Sequence, residues 1–218
     1  MSADEPVRRY LTHALRDGAE RATGVRLSMI GRIKAGAWLP FTASQTCDGR
    51  SFAWRARVDV GPFTLLTVLD RFADGEGATE GRLFGRRRVF GAEGEDTSRS
   101  AAGRAALESV FAPMSLLPER GVTWRAEGDD VIVASFDVAP ERPEVRLRIR
   151  ADGALVSARA LRWRGGEAGY VSCGCEVLAE RRFGDVTVPS DVRVGWWFGT
   201  PRYRPFFQAR VTALTAVA

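Results

Sequence analysis

Segment after segment of this chain alternates apolar and polar residues with a period of two, and little else competes with that pattern. In SFAWRARVDV, Phe52, Trp54, Ala56, Val58 and Val60 fall on one side, and Ala53, Arg55, Arg57 and Asp59 on the other. That is the mark of a strand with one buried and one wet face. Glu144 to Arg150 repeats it, Val145, Leu147 and Ile149 alternating with arginines. In FTLLTVLDRF, the expected shared side is Phe63, Leu65, Thr67 and Leu69. Asp48-Gly49 and Asp152-Gly153 supply tight turns, because Asp-Gly tolerates the positive φ that a short hairpin demands. Strands are expected over about 25–90 and again over about 121–214.

Two stretches break the rhythm. Val7, Tyr10, Leu11, Ala14 and Leu15 give one apolar helix face, so a helix is expected over about 5–20, capped by Asp4 and opened by Pro6. SRSAAGRAALESVF predicts a second helix over about 98–111, capped by Ser98 or Ser100 and stopped near Pro113. Two helices cannot cover an antiparallel sheet of about ten to twelve strands, so the sheet must curl around its own apolar face. The expectation is a mainly β (α+β) fold: a large curved sheet or half-barrel, with both helices closing the opening. With no long linker and no fixed-period repeat, residues 1–218 read as a single domain.

Composition narrows the function classes. The 218 residues carry 32 basic and 27 acidic side chains, a net charge of +5, and Lys34 is the only lysine. Positive charge spread this evenly does not mark a nucleic-acid binder, and the run Arg86-Arg87-Arg88 reads as a solvated strand end. No transmembrane segment is expected, and three cysteines make a poor disulfide framework, so a cytoplasmic location is the default expectation.

Several stretches together resemble an uncharacterised bacterial family of unknown function. They are IKAGAWLPFTASQ, FAWRARV, the GEG at Gly75, SRSAAGRAALESVFAPMSLLP with GVTW, ERRFGDVTVPSDVRVGWWFGT and RYRPFF, spanning roughly residues 25–210. The resemblance implies no reaction. It implies a shape similar to the half-barrel of lipoprotein carriers and related lipid-binding proteins. The Cys173-Gly174-Cys175 segment departs from the family's pattern.

Candidate chemistry centres on the middle helix. Arg104 and Glu108 lie four apart and share a face, with Arg99 nearby. Facing the sheet, they would need partners such as Asp70 or Glu180. An arginine facing a cavity can hold a carboxylate or phosphate while aliphatic chains lie on the apolar sheet. A surface pair, or a salt bridge tying helix to sheet, is the plainer alternative. In DVRVGWWFGTPRYRPFF, Val192, Val194, Trp196 and Phe198 are expected to share one face, with Trp196 in the core, and Asp191, Arg193 and Trp197 the other. Trp38, Trp54, Trp196 and Phe207 are expected as wall residues, whereas Trp197 and Tyr203 sit at a strand–loop boundary. Such aromatics either line a pocket mouth or plug the end of the sheet, and the plug is the simpler reading.

The same-face pair Cys173 and Cys175 reads as small buried hydrophobes, and His13 as a surface residue. No metal site, cofactor or catalytic residue is assigned, since one histidine and the absence of a nucleophile elbow or phosphate loop leave nothing to build on. The leading expectation is non-catalytic binding of an apolar or amphipathic small molecule in the concavity. A structural or protein-interaction domain with a filled core is a second reading. A hydrolase-like enzyme using the loop carboxylates Asp70, Asp74 and Glu76 is a third.

Overall fold

The computed structural model describes residues 4–217, so positions 1–3 and 218 of the expected domain lie outside the described residues. Thirteen strands form one sheet. They are β1 (Gly24–Ala35), β2 (Ala37–Cys47), β3 (Phe52–Val60), β4 (Phe63–Ala73), β5 (Glu76–Leu83), β6 (Arg87–Glu93), β7 (Thr123–Ala126), β8 (Val131–Ser135), β9 (Glu144–Ile149), β10 (Leu155–Trp163), β11 (Tyr170–Phe183), β12 (Val186–Trp196) and β13 (Arg204–Val217). Their spatial order is β6-β5-β4-β3-β2-β1-β13-β12-β11-β10-β9-β8-β7, antiparallel throughout. The sheet does not close: β6 and β7 remain its edges. β1 and β13 pair at the midline, Gly24 opposite Val217.

Helix α2 (Glu95–Glu108) leaves edge β6 and crosses the concave face, packing on β4, β5, β9 and β10 before the chain reaches edge β7. Its buried residues are small: Ala101, Ala102, Gly103, Ala105 and Ala106. Close approach is built in from the sheet side as well. A Cβ on Gly77 would lie 2.7 Å from the Ala101 Cβ. The helix starts three residues earlier than expected and ends at Glu108, residues 109–111 forming a 3₁₀ turn. Ser98 is not a cap at all: its Oγ donates to the Gly94 carbonyl and accepts from Gly77 N–H.

Helix α1 (Glu5–Ala14) is shorter than expected. Leu15 is extended and bridges Val186 of β12, so a tertiary contact ends the helix where its own periodicity would continue. Asp4 makes no side-chain cap; its carboxylate accepts from Ala126 N–H instead. α1 packs on β7, β8 and β12 and, with the 3₁₀ turns over 109–116, fills one end of the concavity. Tyr10, Val110, Met114 and Leu116 are buried there. His13 is not a plain surface residue, since its Nε2 lies 3.0 Å from Glu180 Oε2 and the pair is half-buried.

The candidate site in the concave face

Directly paired residues share a face, so the strand register identifies the interior. Trp54 sits opposite Asp70, Ala56 opposite Val68, and Val58 opposite Leu66. Phe207 sits between Ile33 and Val194, and Cys173 and Cys175 lie opposite Trp196 and Val194. On β4, Leu66 and Val68 point inward, while Thr67 and Leu69 keep their expected shared side opposite Arg57 and Arg55; a register shift at Asp59 takes Phe63 out of that set and sets it opposite Val60. Phe63 lies exposed at the tip.

Several inward-facing side chains are only partly buried, among them Ile33, Leu39, Leu66, Val68, Val194 and Phe207. The reason is unfilled space. Between sheet and α2 lies a cavity of about 370 Å³, lined mainly by apolar and aromatic side chains. Such a volume falls in the roughly 300–1,000 Å³ range of small-molecule sites. Phe41, Trp54 and Phe207 form an aromatic wall, with ring centroids 5.2 Å apart for Phe41–Phe207 and 5.6 Å for Phe41–Trp54. The lining extends to Ala35 at the exposed tip of the β1–β2 hairpin, so the cavity opens at the end away from α1.

One polar cluster interrupts this surface. Arg104 of α2 reaches down between Glu108 and Asp70: its Nε donates to Glu108 Oε1 at 2.7 Å, and its Nη1 donates to Asp70 Oδ2. Gln45 of β2 donates to the other Glu108 oxygen at 2.9 Å. Burial opposes the guanidinium's charge, but Glu108 and Asp70 outweigh it and hold Arg104 above its usual value. Burial pushes the Glu108 carboxyl up, against the pull of Arg104. The arginine also lies over the Phe52 ring, 4.3 Å from its centroid. Asp70 is thus the partner expected from the sequence, while Glu180 serves His13 and Leu155 N–H instead.

Two lining groups are not spoken for. Arg162 has no carboxylate within ion-pair distance among the described residues; its Nε donates to the Ser100 carbonyl, and the guanidinium lies 5.0 Å from the Trp196 ring centre. Trp54 is almost wholly buried, and its indole N–H has no hydrogen-bond partner. Arg162 and Gln45 were not singled out from the sequence, yet both had a signal there. Arg162 is in phase with the buried Ala158 and Ala160, and Gln45 with Phe41, a polar residue out of place on an apolar face.

Of the residues singled out from the sequence, Arg104, Glu108, Trp54, Trp196 and Phe207 come together around the cavity. Four do not. Trp38 pairs with Lys34, which places it on the convex face. Arg99 lies outside the cavity, with Glu141 Oε1 3.0 Å from its Nε, the Tyr170 hydroxyl 2.6 Å from its Nη2, and the Trp163 ring beneath it at 4.1 Å. Trp197 sits in the β12–β13 turn with φ 55°, flanked by Arg164 and Arg202 at 4.6 and 4.8 Å. Tyr203 donates to the Arg193 carbonyl and packs over Gly195. Phe198 likewise departs from the face expected to carry Trp196. The strand ends at Trp196, the positive φ of Trp197 turns the chain, and Phe198 lands on the outer side, against Gly174. The aromatic stretch is therefore divided among wall, tip and outer face.

Burial raises the Cys173 thiol and pushes Cys175 up to about 12. Among the described residues no cluster of histidine, cysteine and carboxylate side chains could hold a metal ion. Asp74 and Glu76 are exposed in the β4–β5 turn, away from the inward-facing Asp70.

Residues 4–215 match the model of a family described as a family of unknown function, DUF6920. No curated protein matches the sequence. Among solved structures, a DUF1329 family protein from Desulfovibrio piger is similar with a TM-score of 0.51 at 12% identity, covering 98% of this chain and 94% of that one. A LolA superfamily protein from Nitrosomonas europaea gives 0.51 at 7%, covering 100% and 94%. A domain from Vibrio parahaemolyticus, named for outer membrane lipoprotein sorting, gives 0.50 at 9%, covering 97% and 91%. At such identities the likeness is one of fold, that of the lipoprotein-carrier half-barrels.

Proposed function

We propose that this chain, which belongs to the DUF6920 family, binds an apolar or amphipathic small molecule in the concave face of its sheet. One observation carries the reading: the apolar cavity of about 370 Å³ that the inward-facing side chains leave unfilled beneath α2. A core built only for stability closes such voids, because each loses both dispersion contacts and buried area. The carrier-like fold supports the same reading.

The polar groups suggest the guest's character. Arg104 is satisfied by Glu108 and Asp70 and ties α2 to β4, holding the helix over the void. It is not free to grip a headgroup. The Trp54 indole N–H is an unsatisfied donor and Arg162 is a cation without a carboxylate partner, so a guest with an aliphatic body and an acceptor oxygen fits best.

Native mass spectrometry of the protein purified from cells, with extraction of bound small molecules, should detect an amphiphile. Val68→Trp fills the cavity from an inward-facing, half-buried position and should abolish uptake of a fluorescent fatty acid while the far-ultraviolet dichroism is retained. Clean apo protein that takes up no probe would overturn the proposal and favour a structural role.

A further inference from the structure

The two ends of the sheet differ in chemistry. At the end filled by α1, every hairpin turn carries an aspartate: Asp48, Asp74, Asp130, Asp152 and Asp185. At the end where the cavity opens, five of the six connections carry a single acid between them, Glu167; the sixth, β8–β9 (136–143), carries Asp137 and Glu141, which pair with Arg142 and Arg99. On and beside the five stand Lys34, Arg86, Arg87, Arg164, Arg202 and Arg204. Among the described residues, none of these six cations has a carboxylate within ion-pair distance.

Apolar side chains project from the same turns. Phe63, Phe84 and Val60 are 70%, 62% and 60% exposed, three of the four most exposed large hydrophobics in the described chain. Two of these turns also hold an aromatic residue where glycine is expected. Phe84 has φ 50° and Trp197 φ 55°, a region that bulky side chains avoid. The Trp197 ring is half-buried between Arg164 and Arg202, but Phe84 retains its backbone cost with the ring left in water, which stabilises nothing in the isolated protein. Exposed rings at the tips within a belt of unpaired cations match an anionic lipid surface: rings enter the boundary layer and arginines meet the headgroups.

We infer that the open end of the sheet docks on an anionic lipid membrane, through the apolar tips Val60, Phe63 and Phe84 and the unpaired cations around them. The inference rests on the composition of the turns and does not require the cavity to hold a guest. In this orientation the cavity mouth faces the bilayer.

Co-sedimentation with vesicles of phosphatidylcholine alone, and with equimolar phosphatidylcholine–phosphatidylglycerol, tests it. The wild type should partition onto the anionic vesicles, less so at high salt. Arg86→Gln with Arg87→Gln should weaken partitioning roughly fivefold per cation removed. Phe84→Gly is the most telling variant. It relieves the left-handed strain, so thermal stability should hold or rise while vesicle binding falls. Arg150→Gln, beside the Asp152 turn at the other end, should leave binding unchanged. Equal sedimentation with both vesicle types would overturn the inference, as would rim variants that bind like Arg150→Gln. Retention of the wild type on immobilised polyglutamate but not on vesicles would also overturn it, in favour of an acidic protein partner.

Discussion

Replacing Arg104 by methionine tests whether the polar cluster under α2 is a tie or an ornament. The variant keeps side-chain bulk but leaves Glu108 and Asp70 without their cation. Their side chains are only 12% and 24% exposed. Breaking a buried pair by removing one partner costs about 3–5 kcal/mol. The residual exposure, and the hydrogen bond that Gln45 still donates to Glu108, place this case near the lower end, about 3 kcal/mol at neutral to alkaline pH. For a chain of this length that lowers the melting temperature by roughly 6–12 °C.

The sign of the pH dependence follows from Glu108. Its folded-state value is already raised by burial, and the variant removes the arginine that pulls it down. An acid raised in the folded state binds more protons folded than unfolded, so its contribution to stability falls as pH rises through the window above its ordinary value. The penalty of Arg104→Met should therefore be largest at about pH 8 and shrink toward about pH 5. Urea titrations at both pH values measure it. Adding Asp70→Asn and Glu108→Gln should recover most of the loss, since the buried charges are then gone. A penalty below about 1 kcal/mol, or one equal at both pH values, would refute the reasoning and return Arg104 to the class of surface pairs.

Gly77→Ala would place a Cβ 2.7 Å from that of Ala101 and 2.9 Å from the Thr97 carbonyl oxygen, both parts of α2. The helix must lift, at a cost of about 1–3 kcal/mol measured by denaturation, and with altered uptake of an apolar probe. The thiols of Cys47, Cys173 and Cys175 are buried, with Cys175 pushed up to about 12. Native protein should therefore be nearly inert to Ellman's reagent at about pH 8 and react only after urea is added.

The strands were legible because one sheet face is apolar and the other wet, which writes alternation directly into β3 and β9. β6 is exposed along its whole length, so its alternation carried little contrast. α2 was blurred for a related reason: its buried face is alanine and glycine, and close approach to Gly77 does the work that large apolar residues do elsewhere. The end of α1 was set by the bridge between Leu15 and Val186, a contact across the chain that no local pattern contains. The site followed the same division. Arg104, Glu108 and Asp70 could be paired from helical spacing and the need to satisfy buried charge. Trp38 and Phe198 were assigned to the wrong faces, because a tryptophan on an outer face and a left-handed Trp197 leave no periodic trace.

The neighbour that β1 requires is the last of the thirteen strands to leave the ribosome. Hairpins in each half can zip up as soon as they are made, but Gly24 waits for Val217, and so long a loop closes slowly. Until then the nascent chain holds two unfinished halves, each with a bare flank, linked only through the α2 crossover. A translation stall near the end would not fray the molecule's rim. It would leave the protein split down its centre.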